Sequence, residues 1–298
     1  MKKLKDILFR KNKDSETSEK TETYRITNPI GRVLGYLFLL LMVLLVLTPI
    51  FIILNISLKD NTEYMMKGVY ALPDNIFNFS NYIKAFKLGG FGEGFLNTFL
   101  LVVCSVPLAI IFGTMVAYGI GRFEFKLKKL LIGAYLFPTF IPTMTVTIAT
   151  FTLIKSLGLY NSFFAGVILY IGTDIMQIYI FLQFINQIPV ALDESACIDG
   201  ASRLRIYFSI ILPQLKPAIA TTVILKLLGI YNDFFTPYMY MPKIKTAATS
   251  LNTFAGDRMA DWPLMSAAII MIAIPTIIIY IFLQKYIISG VTDGAVKS

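Results

Sequence analysis

Three ionisable residues, Asp174, Lys226 and Asp233, stand inside long apolar runs, with Thr173 and Gln177 beside the first and Asn232 beside the last. Such a set can hydrogen-bond a hydroxyl-rich solute, hold a proton or a cation, or tie one helix to another. The chain contains no His at all, which removes Ser-His triads, HExxH zinc sites and histidine proton relays together. No paired-carboxylate motif supports a membrane-embedded enzyme either. The glycine-rich run GGFGEG at 89–94 is not followed by Lys-Ser or Lys-Thr, so it reads as a flexible turn, and no P-loop occurs elsewhere. Neither a catalytic residue nor a metal site is expected, and if ATP powers this protein another subunit must bind it.

A second polar constellation is ESACIDGASRLRIYFSIILP, residues 194–213, flanked on both sides by Leu, Ile, Phe, Val and Tyr. Pro189 suits the start of a helix, where its missing N–H costs nothing. Asp193 and Glu194 then complement the helix dipole. Ala191, Ser195, Ala196 and Cys197 predict a small, nearly flat surface that a partner's groove could accept. Gly200 can adopt the left-handed conformation that ends the helix, and Ser202 can cap the next one ahead of Arg203 and Arg205. Ile206, Ile210, Ile211 and Leu212 would let that second helix lean on the membrane, with Pro213 and Pro217 breaking it. The spacing predicts a helix-turn-helix finger; a plain polar connector would usually be shorter.

These residues need elements to hold them. With 56% apolar and 15% charged residues, the chain is too apolar for a soluble domain. Stretches of about 20 residues with little or no charge mark membrane-spanning helices. Six are found: Val33–Leu58, Gly94–Gly121, Leu130–Ile154, Phe163–Asn186, Pro217–Pro242 and Trp262–Gln284. The first is too long for a signal peptide and reads as a retained anchor. Lys2, Lys3, Lys5, Arg10, Lys11, Lys13, Lys20, Arg25 and Arg32 precede it, and Arg122, Lys126, Lys128 and Lys129 fill the short second loop. By the positive-inside rule both are cytoplasmic, as are the 194–213 hairpin and both termini, while 59–93 and 243–261 face outward. Topology accounts for the net charge of +9, so no nucleic-acid partner is needed.

Residues 1–29 form a polar tail, solvated or with Leu4, Ile7 and Leu8 on the inner leaflet. Residues 30–298 form the membrane domain. Cys104 and Cys197 lie too far apart topologically for a disulfide. An ion inside the bilayer costs a few kcal/mol against lipid, so Asp174, Lys226 and Asp233 should face the bundle interior. Lys226 and Asp233 share a helix face but stand about 10 Å apart along its axis, too far for a direct pair. With Gln177, Thr173 and Asn232 they either line a wet path for sugar hydroxyls or bond to neighbouring helices and a partner.

Glu194-Ser195-Ala196, three residues, Gly200, nine residues, then Ile210, one residue, Leu212-Pro213 resembles the EAA loop of ABC-importer permeases, with Ser195 in place of the usual Ala. Further marks agree: NTF at 97–99, GRFEFK at 121–126, YNDFFTP at 231–237, DWPLMSAA at 261–268 and GVTDGAVK at 290–297. Together they resemble the shorter six-span permease of the maltose/multiple-sugar uptake type, over roughly residue 30 to the end.

That resemblance implies an all-α fold of six transmembrane helices with a cytoplasmic coupling-helix hairpin, a type I importer permease in a bacterial cell membrane. It implies import of a sugar, an oligosaccharide, with no enzymatic activity in this chain and no cofactor bound by it. ATP and Mg2+ would sit on two ATP-binding subunits. Further partners would be a second related permease, forming a heterodimer, and an extracellular sugar-binding protein. The coupling loop would be residues 187–216, with Asp193, Glu194, Ser195, Ala196, Asp199, Gly200, Ile210, Leu212 and Pro213 meeting the ATPase. Asp174, Gln177, Lys226, Asn232 and Asp233 remain candidates for the substrate path. The alternative from another class is an ion-coupled secondary transporter using Asp174 and Asp233 without an ATPase.

Overall fold

A computed structural model describes residues 29–172, 174–255 and 261–295, excluding the side chains of Pro29, Thr143 and residues 285–295. The expected leaflet contacts of Leu4, Ile7 and Leu8, the role of Thr173 and the end of the GVTDGAVK motif fall outside these residues. All regular elements among the described residues are helical. The chain divides into two compact units, Met1–Ile52 and Ile53–Ser298. The first contains most of helix α1, Pro29–Ser57, an apolar helix long enough to cross a bilayer.

The second unit holds α2 (Asn61–Lys67), α3 (Ser80–Gly89), α4 (Phe91–Arg122), α5 (Lys128–Leu136), α6 (Thr143–Ser156), α7 (Phe163–Ile171), α8 (Ile175–Gln187), α9 (Val190–Ile198), α10 (Arg203–Gln214), α11 (Lys216–Asn232), α12 (Phe235–Tyr240) and α13 (Trp262–Ala295). Sequence patterning predicts six spans, with prolines inside several of them that permit kinks. Among the described residues only α1, α4 and α13 are unbroken helices of that kind, and the count reaches six when each bent pair is taken as one span.

The breaks have local chemical causes. Between α5 and α6 a 3-10 turn at Phe137–Phe140 carries Pro138, and Pro142 follows it. Between α7 and α8 the Asp174 side chain accepts a hydrogen bond from the Gln177 amide at 2.8 Å, so the residue read as a charge inside the fourth span is the N-cap of a new helix. Helices α10 and α11 meet at 77° at Leu215, between Pro213 and Pro217. The expected fifth span, Pro217–Pro242, ends at Asn232. There Asp233 accepts from the Thr236 amide at 3.0 Å and starts α12. A polar side chain that offers the backbone a local partner ends a helix even where hydropathy alone would carry it on.

The core lies where α4 packs against α7, α8 and α11. Leu101, Phe181, Ile185, Ile206, Tyr207, Ile211 and Leu215 are almost fully buried there. On α4, Ala109, Gly113, Ala117 and Gly121 recur every fourth residue, the small-residue stripe that lets membrane helices approach closely. A Cβ at Gly113 would stand 2.5 Å from Gln177 Nε2, and one at Gly121 would stand 3.0 Å from Ile185 Cγ2. A second cluster joins Phe91, Tyr231, Ala247, Ala267, Ala268 and Ile272, where α13 packs on α3 and α11.

Candidate functional site

Two sites take shape, one within the helical bundle and one at the hairpin. In the bundle, α7, α8 and α11 enclose a cavity of about 380 Å3 lined by Tyr170, Asp174, Gln177, Lys226 and Asp233, with Met176, Ile180, Leu225 and Ile230 as apolar wall. Lys226 Nζ lies 3.2 Å from Asp174 Oδ2 and donates to the Gly172 carbonyl at 2.9 Å. One ammonium thus closes the gap between α11 and the α7–α8 break. Tyr170 Oη donates to Asp233 Oδ2 at 3.0 Å, so both carboxylates are tied across helices. Gln177 is buried: its Nε2 donates to the Ala109 carbonyl at 2.8 Å, while its Oε1 has no hydrogen-bond partner among the described residues.

Four of the five residues picked from the sequence for this path therefore line one cavity. Asn232 does not. Its Nδ2 donates to Leu228 O at 2.9 Å, its Oδ1 accepts from Thr276 Oγ1 at 3.4 Å, and it lines a separate hollow of about 330 Å3 with Phe234, Asn252 and Met265. Consecutive residues at a helix end point about 100° apart, which sends Asn232 and Asp233 to different neighbours. Tyr170 is the cavity residue that sequence reasoning missed, because a Tyr in an apolar run reads as ordinary filling.

At the hairpin, Gly200 takes φ +80° and ends α9, and Ser202 Oγ accepts from the Arg205 amide at 3.3 Å to start α10. Glu194, Ser195 and Asp199 are exposed. Asp193 and Ala196, by contrast, are buried against the chain's own core and cannot present their side chains to a partner. Nor is the outer surface of α9 uniformly small, since Val190, Leu192 and Ile198 are exposed on it, Ile198 at 86%. Ile206 and Ile211 are fully buried instead of leaning on lipid, because a π-helical turn at Tyr207–Ile211 rotates Tyr207 and Ile211 inward. Ile210 and Leu212 pack partly buried against the same core, and Pro213 is exposed.

The buried Asp193 has a cationic neighbour from another element. Arg122, the last residue of α4, places Nε 2.7 Å from Asp193 Oδ2 and donates from Nη2 to the Ile188 carbonyl at 2.6 Å. Both side chains are 7% exposed. The Nε–H does not point at the carboxylate, so the contact is ionic, and among the described residues neither Asp193 oxygen has a hydrogen-bond donor. Removing one partner of such a pair costs about 3–5 kcal/mol, because the other charge is left buried alone. The GRFEFK run contains this Arg, yet nothing in its spacing says that it folds back on the hairpin.

The other runs that carry the resemblance have structural work. Asn97 Nδ2 donates to Lys245 O at 2.8 Å, Tyr231 Oη donates to Ile272 O at 3.1 Å, and Asp261 Oδ1 accepts from the Leu264 amide at 3.0 Å to cap α13.

Residues 82–293 match the family described as binding-protein-dependent transport system inner membrane component. The chain belongs to this family. The chain is similar to the melibiose/raffinose/stachyose import permease protein MelC of Bacillus subtilis, 32% identical over 84% of this chain and 91% of that one. The arabinooligosaccharides permease AraQ of the same organism is 29% identical over 90% and 96%. The trehalose permease SugB of Mycobacterium tuberculosis is 29% identical over 84% and 92%. In fold, the permease resembles a chain of a bacterial ABC transporter involved in import of the polysaccharide alginate, with a TM-score of 0.75 at 24% identity, covering 89% of this chain and 99% of that one. A second crystal structure, the alginate transporter in complex with a pentasaccharide-bound periplasmic protein, gives a TM-score of 0.56 at 22% identity, over 84% and 92%. The permease is therefore a multi-pass, all-α ABC importer subunit.

Proposed function

We propose that this permease carries a sugar, and among sugars an oligosaccharide, as one half of a heterodimer with a second related permease. The observation that carries the reading is the family match over 82–293 together with permease relatives named for oligosaccharides along nearly their whole length. Two ATP-hydrolysing subunits hold the nucleotide and its Mg2+, and an extracellular binding protein delivers the cargo. The solved relative in complex with a periplasmic protein supports the last of these. Nothing among the relatives favours the ion-coupled alternative.

The hairpin side of the bundle is cytoplasmic in this reading, as are both termini, because the positive-inside rule puts the Lys- and Arg-rich tail and 122–129 loop in the cytoplasm, and Arg122 of that loop meets the hairpin. The exposed face of α9, which carries Glu194, Ser195 and Ile198, and the turn at Asp199 and Gly200 dock in the ATPase. Asp193 and Ala196 serve from beneath by fixing the helix. The cavity bounded by Asp174, Gln177, Lys226 and Asp233 forms part of the sugar path, its carboxylates accepting from sugar hydroxyls. The test is purification in mild detergent followed by uptake. A second permease and an ATPase should co-purify, and uptake of at least one sugar from a panel of melibiose, raffinose, stachyose, arabino-oligosaccharides and trehalose should require ATP. A chain that purifies alone and takes up solute without ATP refutes it.

A further inference from the structure

The hairpin is braced from a direction that its two flanking helices do not supply. Besides α8 and α11, it is held at three separate points by the C-terminal half of α4 and the residue that follows it. Arg122 pairs with Asp193 of α9 and donates to Ile188 just ahead of it. The Arg203 guanidinium of α10 lies 5.6 Å from the centre of the Phe123 ring, directly after α4. Further along α4, Thr114 Oγ1 and Tyr207 Oη are 2.7 Å apart in a buried hydrogen bond, with the Tyr118 ring 5.5 Å from that of Tyr207.

The same helix reaches the membrane cavity. Ala109 of α4 accepts the hydrogen bond of Gln177, and Gly113 sits one turn on, packed against the same side chain. From Ala109 to Arg122 is about 20 Å of helix. Pro107, the one proline within α4, lies before that interval, so its hydrogen-bonded ladder is not interrupted by proline. A rod of that length, tied at one end to the hairpin and at the other to the cavity, moves both together.

We propose that α4 transmits the stroke between hairpin and cavity, with Arg122 and Asp193 as positioning residues that lock the hairpin to it. The pair suits this task. Among the described residues Asp193 has no hydrogen-bond donor, so the charge of Arg122 at 2.7 Å is its closest compensation, and any tilt of α9 away from α4 weakens it. The pair itself lines a hollow of about 490 Å3 together with Tyr118, Phe123, Cys197 and Arg203, so side-chain packing on that flank is incomplete, which puts more of the joint's stiffness on the ion pair.

This inference rests on the coupling reading above, and the experiment separates the two. The complex is purified with its partner permease, ATPase and binding protein and reconstituted, and sugar moved per ATP hydrolysed is measured with the panel sugar that the wild type takes up best. Arg122→Gln and Asp193→Asn should each lower that ratio about tenfold, within the usual range of coupling between sites, while ATP hydrolysis continues. The exchanged pair Arg122→Asp with Asp193→Arg should recover most of it. Where a single variant fails to assemble, the apolar pair Arg122→Met with Asp193→Leu decides, because apolar replacement of a buried ion pair commonly preserves folding. That pair should assemble with its ATPase and remain uncoupled. A wild-type ratio in any assembled single variant or in the apolar pair overturns the proposal, and so does failure of the apolar pair to assemble, which would make the residues purely structural. A wild type that holds no ATPase would instead overturn the coupling reading itself.

Discussion

Lys226 and Asp174 lie 3.2 Å apart across the cavity, joining α11 to the start of α8 at the point where the fourth apolar run breaks. The Lys side chain is 17% exposed and the Asp side chain 57%, so the pair is open on the carboxylate side. One half of the pair can therefore meet a solute while the other holds the helices in place.

For this pair, Lys226→Met should be the more damaging change. It removes the bridge to Asp174 and the donor to Gly172 together, and should weaken binding of the partner permease or lower uptake several-fold. Asp174→Asn keeps the N-cap to Gln177 and should change sugar affinity with little loss of assembled complex. Uptake kinetics and co-purification on both variants separate the two residues; equal effects would contradict the asymmetry in exposure.

Asp233 gives a complementary test through Tyr170. Tyr170→Phe deletes one partly buried hydrogen bond, worth about 1 kcal/mol, and frees one carboxylate oxygen toward the cavity. If that carboxylate serves sugar, Tyr170→Phe should alter apparent affinity and Asp233→Asn should alter it too, with the complex intact. Loss of the second permease from the Asp233→Asn complex would assign the residue to assembly.

Gly200 tests the hairpin turn. A Cβ there would meet nothing within 4 Å, so the cost of a side chain is conformational, and at φ +80° a β-branched residue pays about 1–2 kcal/mol. Gly200→Val should leave membrane insertion intact, misaim α9 and cut ATP-dependent uptake sharply, whereas Gly200→Asn should be far milder. Insertion measured by protease accessibility, with uptake in the same cells, would show whether the two separate.

Gly113→Ala probes the α4–α8 contact. The added methyl stands 2.5 Å from Gln177 Nε2 and 3.2 Å from the Phe181 ring, in a well-packed site where overpacking typically costs about 1–3 kcal/mol. The melting temperature of the purified complex should fall. Gly119→Ala is the control: nothing lies within 4 Å of its Cβ position, and replacing Gly by Ala inside a helix should stabilise slightly.

Orientation is open to a direct test. A reporter fused after Ser298 should report the cytoplasm and one inserted near Asn75 the exterior. Both on one side would exclude a count of spans that puts the hairpin end inside.

The sequence by itself determined the class of protein, the number of apolar runs and the place of the hairpin, because these depend on composition, run length and local backbone preference. Gly200 and Ser202 act as their residue types dictate wherever they stand. A closer look at spacing would also have found the Ala109, Gly113, Ala117, Gly121 stripe. Only the tertiary structure decided which residues share a cavity and which way the hairpin faces. Asp193 and Glu194 are adjacent acids with opposite fates, one buried on Arg122 and one exposed, and that difference arises from an arginine 71 positions earlier in the chain. Likewise Asp174 meets Lys226, and Tyr170 meets Asp233, across helix breaks that hydropathy does not register. A window average weighs how apolar a segment is; it carries no record of the single side chain that caps a helix or of the partner that waits for it on another one.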